Sequence, residues 1–202
     1  MPPFQDALAA IMATTPTEHM EIEARVLGPW TEVFDLQWDP SPGAVEETTT
    51  VEDTVGSTGV RRRRVLDGER VWRTEYTIKE KKYKRDVDLG QGVRLRVGIA
   101  TETPAPGGVR CGTPVFHRRK CITRRTHGDY MVEVSRILTR TGARWVPAGT
   151  EYEVEFIGDL ERALDPGFEA DLIARLRRGL VPRAGAQAGA GSDGTADSLA
   201  RS

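Results

Sequence analysis

The sequence predicts a mainly β chain: eight or nine antiparallel strands in a barrel or sandwich, with a short helix at each end. Three observations carry that reading. Apolar residues recur at period 2 from Glu18 to about Ile157. Gly and Pro break that stretch at short intervals. A helical 3–4 spacing occurs only in the two flanking segments.

Taken in order, Phe4, Ala7, Leu8, Ile11 and Met12 follow Pro2-Pro3 on one helical face, which Thr14-Thr15-Pro16 ends. Strands are predicted near 19–26, 31–38, 46–54, 60–66, 71–84, 92–102, 115–125, 130–139 and 151–157. The breaks between them include Gly28-Pro29, Pro40 to Gly43, Asp67-Gly68, Gly90-Gln91-Gly92, Pro104 to Gly108, Gly128-Asp129 and Pro147 to Gly149. Pro166-Gly167 opens a second helix with Phe168, Leu172, Ile173, Leu176 and Leu180 on one face, ended by Pro182. Residues 183–202 are rich in Ala, Gly and Ser with no periodic apolar face, which predicts a disordered tail after one domain over 1–182.

The chain has 202 residues, with 29 Lys and Arg against 30 Asp and Glu. This balance argues against a globally basic nucleic-acid binder and against an acidic disordered chain. It conceals two charged segments. Ten acids stand against Arg25 alone between Glu18 and Asp53, and eleven bases stand against four acids between Arg61 and Arg85. Cys111 and Cys121 form no disulfide framework, and Ala7 to Ala13 is too short for a signal segment or a membrane span. Together these predict an intracellular chain with no membrane partner.

Alternation places residues i, i+2 and i+4 on one strand face. Met20, Ile22, Ala24 and Val26 oppose His19, Glu21, Glu23 and Arg25, and Tyr152, Val154 and Phe156 oppose Glu151, Glu153 and Glu155. Trp72, Thr74, Tyr76 and Ile78 oppose Arg73, Glu75, Thr77, Lys79 and Lys81, while Val93, Leu95, Val97 and Ile99 oppose Arg94, Arg96 and Glu102. A half-solvated sheet accounts for any one of these strands but poorly for the set. Like carboxylates roughly 7 Å apart along one strand repel. Acidic and basic faces on separate strands point to a common interior, where acids hold a divalent cation and bases hold an anion such as phosphate. A closed barrel of about eight strands offers an interior of that size.

Glu21-Ile22-Glu23-Ala24-Arg25 with Glu151-Tyr152-Glu153-Val154-Glu155 resembles the two glutamate motifs of triphosphate tunnel metalloenzymes, in the form found in metal-dependent mRNA 5′-triphosphatases of fungi, protozoa and some viruses. Val93 to Pro104 is similar to that family's R-x-S…E-x-P strand, with Arg96 at the Ser position. His117-Arg118-Arg119-Lys120 falls at its basic strand. Tyr130 to Ile137 is similar to its D-x-T-x-V strand, with Glu133 and Ser135 as replacements. The resemblance spans roughly residues 18–158. It implies a closed eight-stranded antiparallel barrel, Mg²⁺ or Mn²⁺, and removal of the γ-phosphate of triphosphate-ended RNA as the first step of capping, in the nucleus or cytoplasm beside an mRNA guanylyltransferase. Carried over residue by residue, it implies Glu21, Glu23 and Glu155 as metal ligands, and Glu153, Glu151 and Glu133 as catalytic carboxylates. Arg64 with Arg62, Lys79, Lys81, Arg94, Arg118 and Lys120 become phosphate ligands, with Arg25, Glu102 and Ser135 in support. The opposite parity of Val60 and Val65 leaves Arg61 and Arg63 open against Arg62 and Arg64. Ile122 leaves the register after Lys120 open, with Arg124 as a further candidate.

Competing chemistries find less in the sequence. There is no phosphate-cradling G-x-x-x-x-G-K-[ST] loop. His19, His117 and His127 with two distant cysteines make a poor zinc set. Trp30, Trp38, Trp72 and Trp145 are read as outer packing. Two alternatives stand beside the RNA enzyme: a tunnel hydrolase of small triphosphates, suggested by the Glu21-x-Glu23-x-Arg25 form, and a non-catalytic RNA-binding barrel using the Arg61–Arg85 segment.

Overall fold

A computed structural model describes residues 3–37 and 45–183. Helix α1 (Phe4–Met12) and a 3-10 turn (Thr17–His19) lead into strand β1 (Met20–Leu27). One helical turn, α2 (Trp30–Val33), and the short β2 (Phe34–Leu36) follow. Seven strands come next: β3 (Val45–Gly56), β4 (Val60–Asp67), β5 (Arg70–Gly90), β6 (Val93–Pro104), β7 (Pro114–His127), β8 (Tyr130–Thr141) and β9 (Arg144–Phe156). A 3-10 turn (Leu160–Leu164), helix α3 (Phe168–Arg178) and β10 (Leu180–Pro182) end the described chain.

Eight of the strands close into an antiparallel barrel in the order β1-β6-β5-β4-β3-β7-β8-β9. The expected mainly β, closed eight-stranded architecture with flanking helices is therefore observed. Two predicted elements differ. The 31–38 stretch contributes no barrel strand, because Trp30 is buried with its indole N–H donating to the Thr150 carbonyl at 2.9 Å, which holds 30–33 as a helical turn. The three residues after it pair instead with β10, the segment expected to finish the second helix. Strand β9 begins at Arg144 and runs through Pro147 to Gly149, where a turn was expected, with a register shift between Ile137 and Leu138 absorbing the irregularity. Trp38, the Pro40–Gly43 break and 184–202 of the expected tail lie outside the described residues.

The apolar core lies outside the barrel wall. Ile22 and Ala24 of β1, Leu95, Val97 and Ile99 of β6, and Val154 and Phe156 of β9 are buried against Phe4 and Leu8 of α1 and Phe168, Leu172 and Leu176 of α3. Covering the wall's apolar face leaves the charged face of the same strands to line the interior. Two local features keep this arrangement in register. A bulge between Lys81 and Tyr83 flips the parity of β5, so Lys79 and Lys81 keep the interior parity while Tyr83 meets Phe4 edge-on at 5.6 Å in the outer core. At the end of α3, an added Cβ on Gly179 would lie 2.0 Å from the Tyr152 hydroxyl, so only glycine lets the chain pass there.

Leu172 is fully buried between α3 and the wall. Leu172→Ala is expected to cost about 2–5 kcal/mol of folding stability by transfer and cavity terms, read as a lower urea midpoint. An unchanged midpoint would mean that the helix does not brace the barrel.

Candidate active site

The barrel encloses a cavity of about 350 Å³. Seven carboxylates (Glu21, Glu23, Asp53, Glu102, Glu133, Glu153, Glu155) face eight cationic side chains (Arg25, Arg61, Arg63, Lys79, Lys81, Arg118, Lys120, Arg124) across it. The strands sort them. Strands β1 and β9 are neighbours, with Glu23 opposite Glu155 and Arg25 opposite Glu153, and they form a wall rich in carboxylates. Strands β4, β5 and β7 supply all the cations except Arg25.

Most of these charges are held in pairs. Lys79 contacts Glu21 and lies 3.6 Å from Glu23, and Arg25 contacts Glu23 and reaches Glu153 at 3.3 Å. Arg63 grips Asp53 with two bonds of 2.8 and 2.9 Å, while Arg61 contacts Glu102. Glu151 takes Arg118 and Lys120, each at 2.5 Å. Glu133 accepts from Arg124 at 2.9 Å and from the Ser135 hydroxyl at 2.8 Å. Burial would push these acids up, but their cations prevail at several sites: Arg25 and Lys79 hold Glu23 low, Arg63 holds Asp53 low, and Lys120 with neighbouring arginines holds Glu133 and Glu151 low.

Three carboxylates escape that control. Burial raises Glu153 to about 7, with Glu23 and Glu133 adding repulsion against Arg25. Burial raises Glu155 to about 7 as well, where Glu21, Glu153 and Glu23 outweigh Lys79. Glu21 is also raised by burial, despite Lys79. Glu21, Glu23 and Glu155 are hard oxygen donors of the kind that suits Mg²⁺ or Mn²⁺. With Lys79 and Arg25 seated against Glu21 and Glu23, no three His, Cys, Asp or Glu side chains among the described residues converge on one coordination point.

Glu21, Glu23, Glu155, Glu153, Glu133, Lys79, Lys81, Arg118, Lys120, Arg25 and Glu102 all line the cavity, while Glu151 and Ser135 join it through their partners. Three expectations need correction. Arg62 and Arg64 point away from the interior and Arg61 and Arg63 point into it. The parity is set by Val60, which is buried beneath the outer loop where the Cys111 thiol donates to the carbonyls of Thr54 and Val60. Arg62 turns to Thr54, and Arg64 stands opposite Glu52, whose carboxylate binds the outward-facing Arg119. Arg94 keeps the interior parity but sits at the exposed start of β6 beside Asp86 at 3.4 Å, outside the cavity lining.

Asp53 and Phe116 are lining residues that sequence reasoning missed. Asp53 stands between Val51 and Val55 on one strand face, so its alternation mimics an apolar one. Ile122 faces the interior parity and is fully buried, so the register of β7 runs unbroken and brings Arg124 inward.

No family model and no curated protein sequence matches the chain. Among solved structures, it is similar to the Pct1 RNA triphosphatase of S. pombe, at 18% identity over 86% of each chain with a TM-score of 0.55. That structure is a complex with the Spt5 CTD. Pct1 alone gives a TM-score of 0.54 over 87% of each chain, also at 18% identity. The RNA triphosphatase domain of the mimivirus mRNA capping enzyme gives 0.51 at 8% identity, over 86% of this chain and 95% of that one. The chain has the tunnel fold. At such identities the likeness is one of fold, and the tunnel's chemistry is argued from its own side chains.

Those side chains set a pH dependence of folding. Glu153 and Glu155 bind protons more tightly folded, at about 7, than at their ordinary 4.5. The stability this contributes is complete below pH 4.5 and is lost as pH rises through 7. Asp53, Glu133 and Glu151, held low, contribute stability above their ordinary values that is lost in acid. Without divalent cations, stability should therefore peak near pH 5 and decline towards pH 8. Glu153→Gln should flatten the decline by about 1–3 kcal/mol, at ~1.4 kcal/mol per pKa unit. Thermal melts at several pH values check this, and an equally steep decline in the variant would contradict it.

Proposed function

We propose that the chain is a divalent-metal-dependent RNA 5′-triphosphatase, which removes the γ-phosphate of triphosphate-ended RNA ahead of guanylyl transfer in capping. The observation that carries this reading is the pairing of a carboxylate wall on β1 and β9 with a cationic wall on β4, β5 and β7 across one cavity. A phosphoryl group in transfer spreads charge over three equatorial oxygens, so catalysis is mostly positioning and charge stabilisation.

Arg61, Arg63, Arg118 and Lys120 would bind the phosphate oxygens, exchanging their present carboxylate partners for the substrate's. Arginine suits this because its planar fork meets two oxygens at once. Glu153, deep in the wall, would accept the proton of the water attacking the γ-phosphorus as the bond to the bridging oxygen breaks. Glu21, Glu23 and Glu155 would hold Mg²⁺ or Mn²⁺, which supplies Lewis-acid polarisation of the phosphate when bound. Lys79 sits against two of these ligands and balances their charge in its absence.

The test is phosphate release from a triphosphate-ended oligonucleotide with a panel of divalent ions, with tripolyphosphate as comparison. Glu21→Ala, Glu23→Ala and Glu155→Ala should each lose more than tenfold in rate, at least about 1.4 kcal/mol of barrier. If two of the three keep more than a tenth of the rate, the metal assignment fails. Arg63→Ala should lower activity at least tenfold while Arg64→Ala stays within about twofold. The reverse order would place the β4 register one residue out. A kcat/KM higher for tripolyphosphate than for the oligonucleotide would favour a small-triphosphate hydrolase.

A further inference from the structure

The tunnel lining contains one aromatic ring among the described residues, that of Phe116. Phe116 lies one alternation before Arg118 on the same face of β7 and is 43% exposed, which places it at a mouth of the cavity. Its neighbours in the lining are Val55, its cross-strand partner, and Gly59 of the β3–β4 turn. An added Cβ at Gly59 would meet nothing within 4 Å, so open space adjoins the turn. The Arg118 guanidinium lies 5.1 Å from the Phe116 ring centre while its Nη1 donates to Glu151 inside the tunnel. One arginine thus links the phosphate-binding interior to an exposed aromatic face.

A neighbouring cavity of about 500 Å³ shares Glu21 and Glu102 with the tunnel and adds Glu18 and Glu75. A polyanion approaching there meets carboxylates, Glu102 being held by Arg61, whereas at Phe116 it meets Arg118. The other described tryptophans cannot serve the tunnel: Trp30 is buried, Trp72 is exposed outside the lining, and Trp145 packs on His117 and beneath outward-facing Arg119.

We infer that Phe116 is a stacking platform for the base of the first nucleotide, at the mouth through which a nucleoside triphosphate end enters. It is thus a specificity residue that separates base-bearing substrates from inorganic polyphosphate. The inference rests on the reading of the tunnel as a triphosphate site. An aromatic face stacks any base without hydrogen-bond readout, which suits an enzyme that must accept different first nucleotides. Arg118 can hold the phosphates while its plane rests against the ring and base.

The experiment compares Phe116→Leu, which keeps an apolar side chain but removes the π-face, with Phe116→Trp, which enlarges it. Binding of ATP, GTP and tripolyphosphate is measured by calorimetry, and kcat and KM are measured with Mg²⁺ or Mn²⁺. Phe116→Leu should weaken ATP and GTP binding about tenfold and raise their KM, leaving kcat and tripolyphosphate binding within twofold. Phe116→Trp should keep or improve nucleotide binding. Equal weakening of all three ligands, or no weakening of any, overturns the platform. A wild-type chain that releases no phosphate, yet loses nucleotide binding alone on Phe116→Leu, upholds the platform and removes the hydrolytic reading. Nucleotide binding too weak to detect in the wild type overturns the platform, while phosphate release from the triphosphate-ended oligonucleotide decides the hydrolytic reading.

Discussion

Charge inside a barrel has to be neutralised where it stands, and this requirement organises the rest of the molecule. Asp53, Lys120 and Glu133 are its most buried charged side chains, at 1%, 4% and 5% exposure among the described residues. Any of them alone in so dry a place would be costly. They are tolerable because the closed sheet brings their partners from other strands to within ion-pair distance: Arg63 from β4, Glu151 from β9, Arg124 from β7 itself. Such pairs are weak sources of net stability, because desolvation consumes most of the attraction. Stability has to come from elsewhere, and in this fold it comes from the outer face.

The apolar face of β1, β6 and β9 is turned outward and covered by α1 and α3. The usual arrangement of a small barrel, with apolar side chains filling the interior, is inverted over much of the wall. The helices free the interior from supporting the fold, so the inner positions can carry ligands and counter-ions. The bulge at Lys82 shows how closely the two roles are joined. One extra residue sends Tyr83 to the helices and leaves Lys79 and Lys81 at the cavity.

The ion pairs also describe a resting state suited to exchange. In the proposed function, a phosphate would replace the carboxylates that hold Arg63, Arg118 and Lys120, and a divalent cation would take over those under Lys79 and Arg25. Glu153 and Glu155 remain the poorly compensated members, and burial raises both to about 7.

Much of this was legible in the sequence because a strand's period of 2 ties each residue's face to its neighbours' polarity. Glu21, Glu23, Glu153 and Glu155 alternate with buried apolar residues, so their inward direction followed from local pattern alone, as did that of Arg118 and Lys120 against Arg119. Where local pattern was ambiguous, only tertiary structure could decide. The four consecutive arginines 61–64 carry no alternation of their own, and their parity depends on Val60 being covered by a loop some fifty residues away in sequence. Asp53 reads as one polar residue in an apolar face until Arg63 and Arg118 arrive from neighbouring strands. Arg94 has the right parity but lies at the strand's exposed start, and position along a barrel axis depends on how all eight strands are staggered. The same closure decided that Phe116, an unremarked aromatic residue in the sequence, stands at the tunnel mouth. Alternation determines which way a side chain points, and only the closed barrel determines how deep it lies and what it faces.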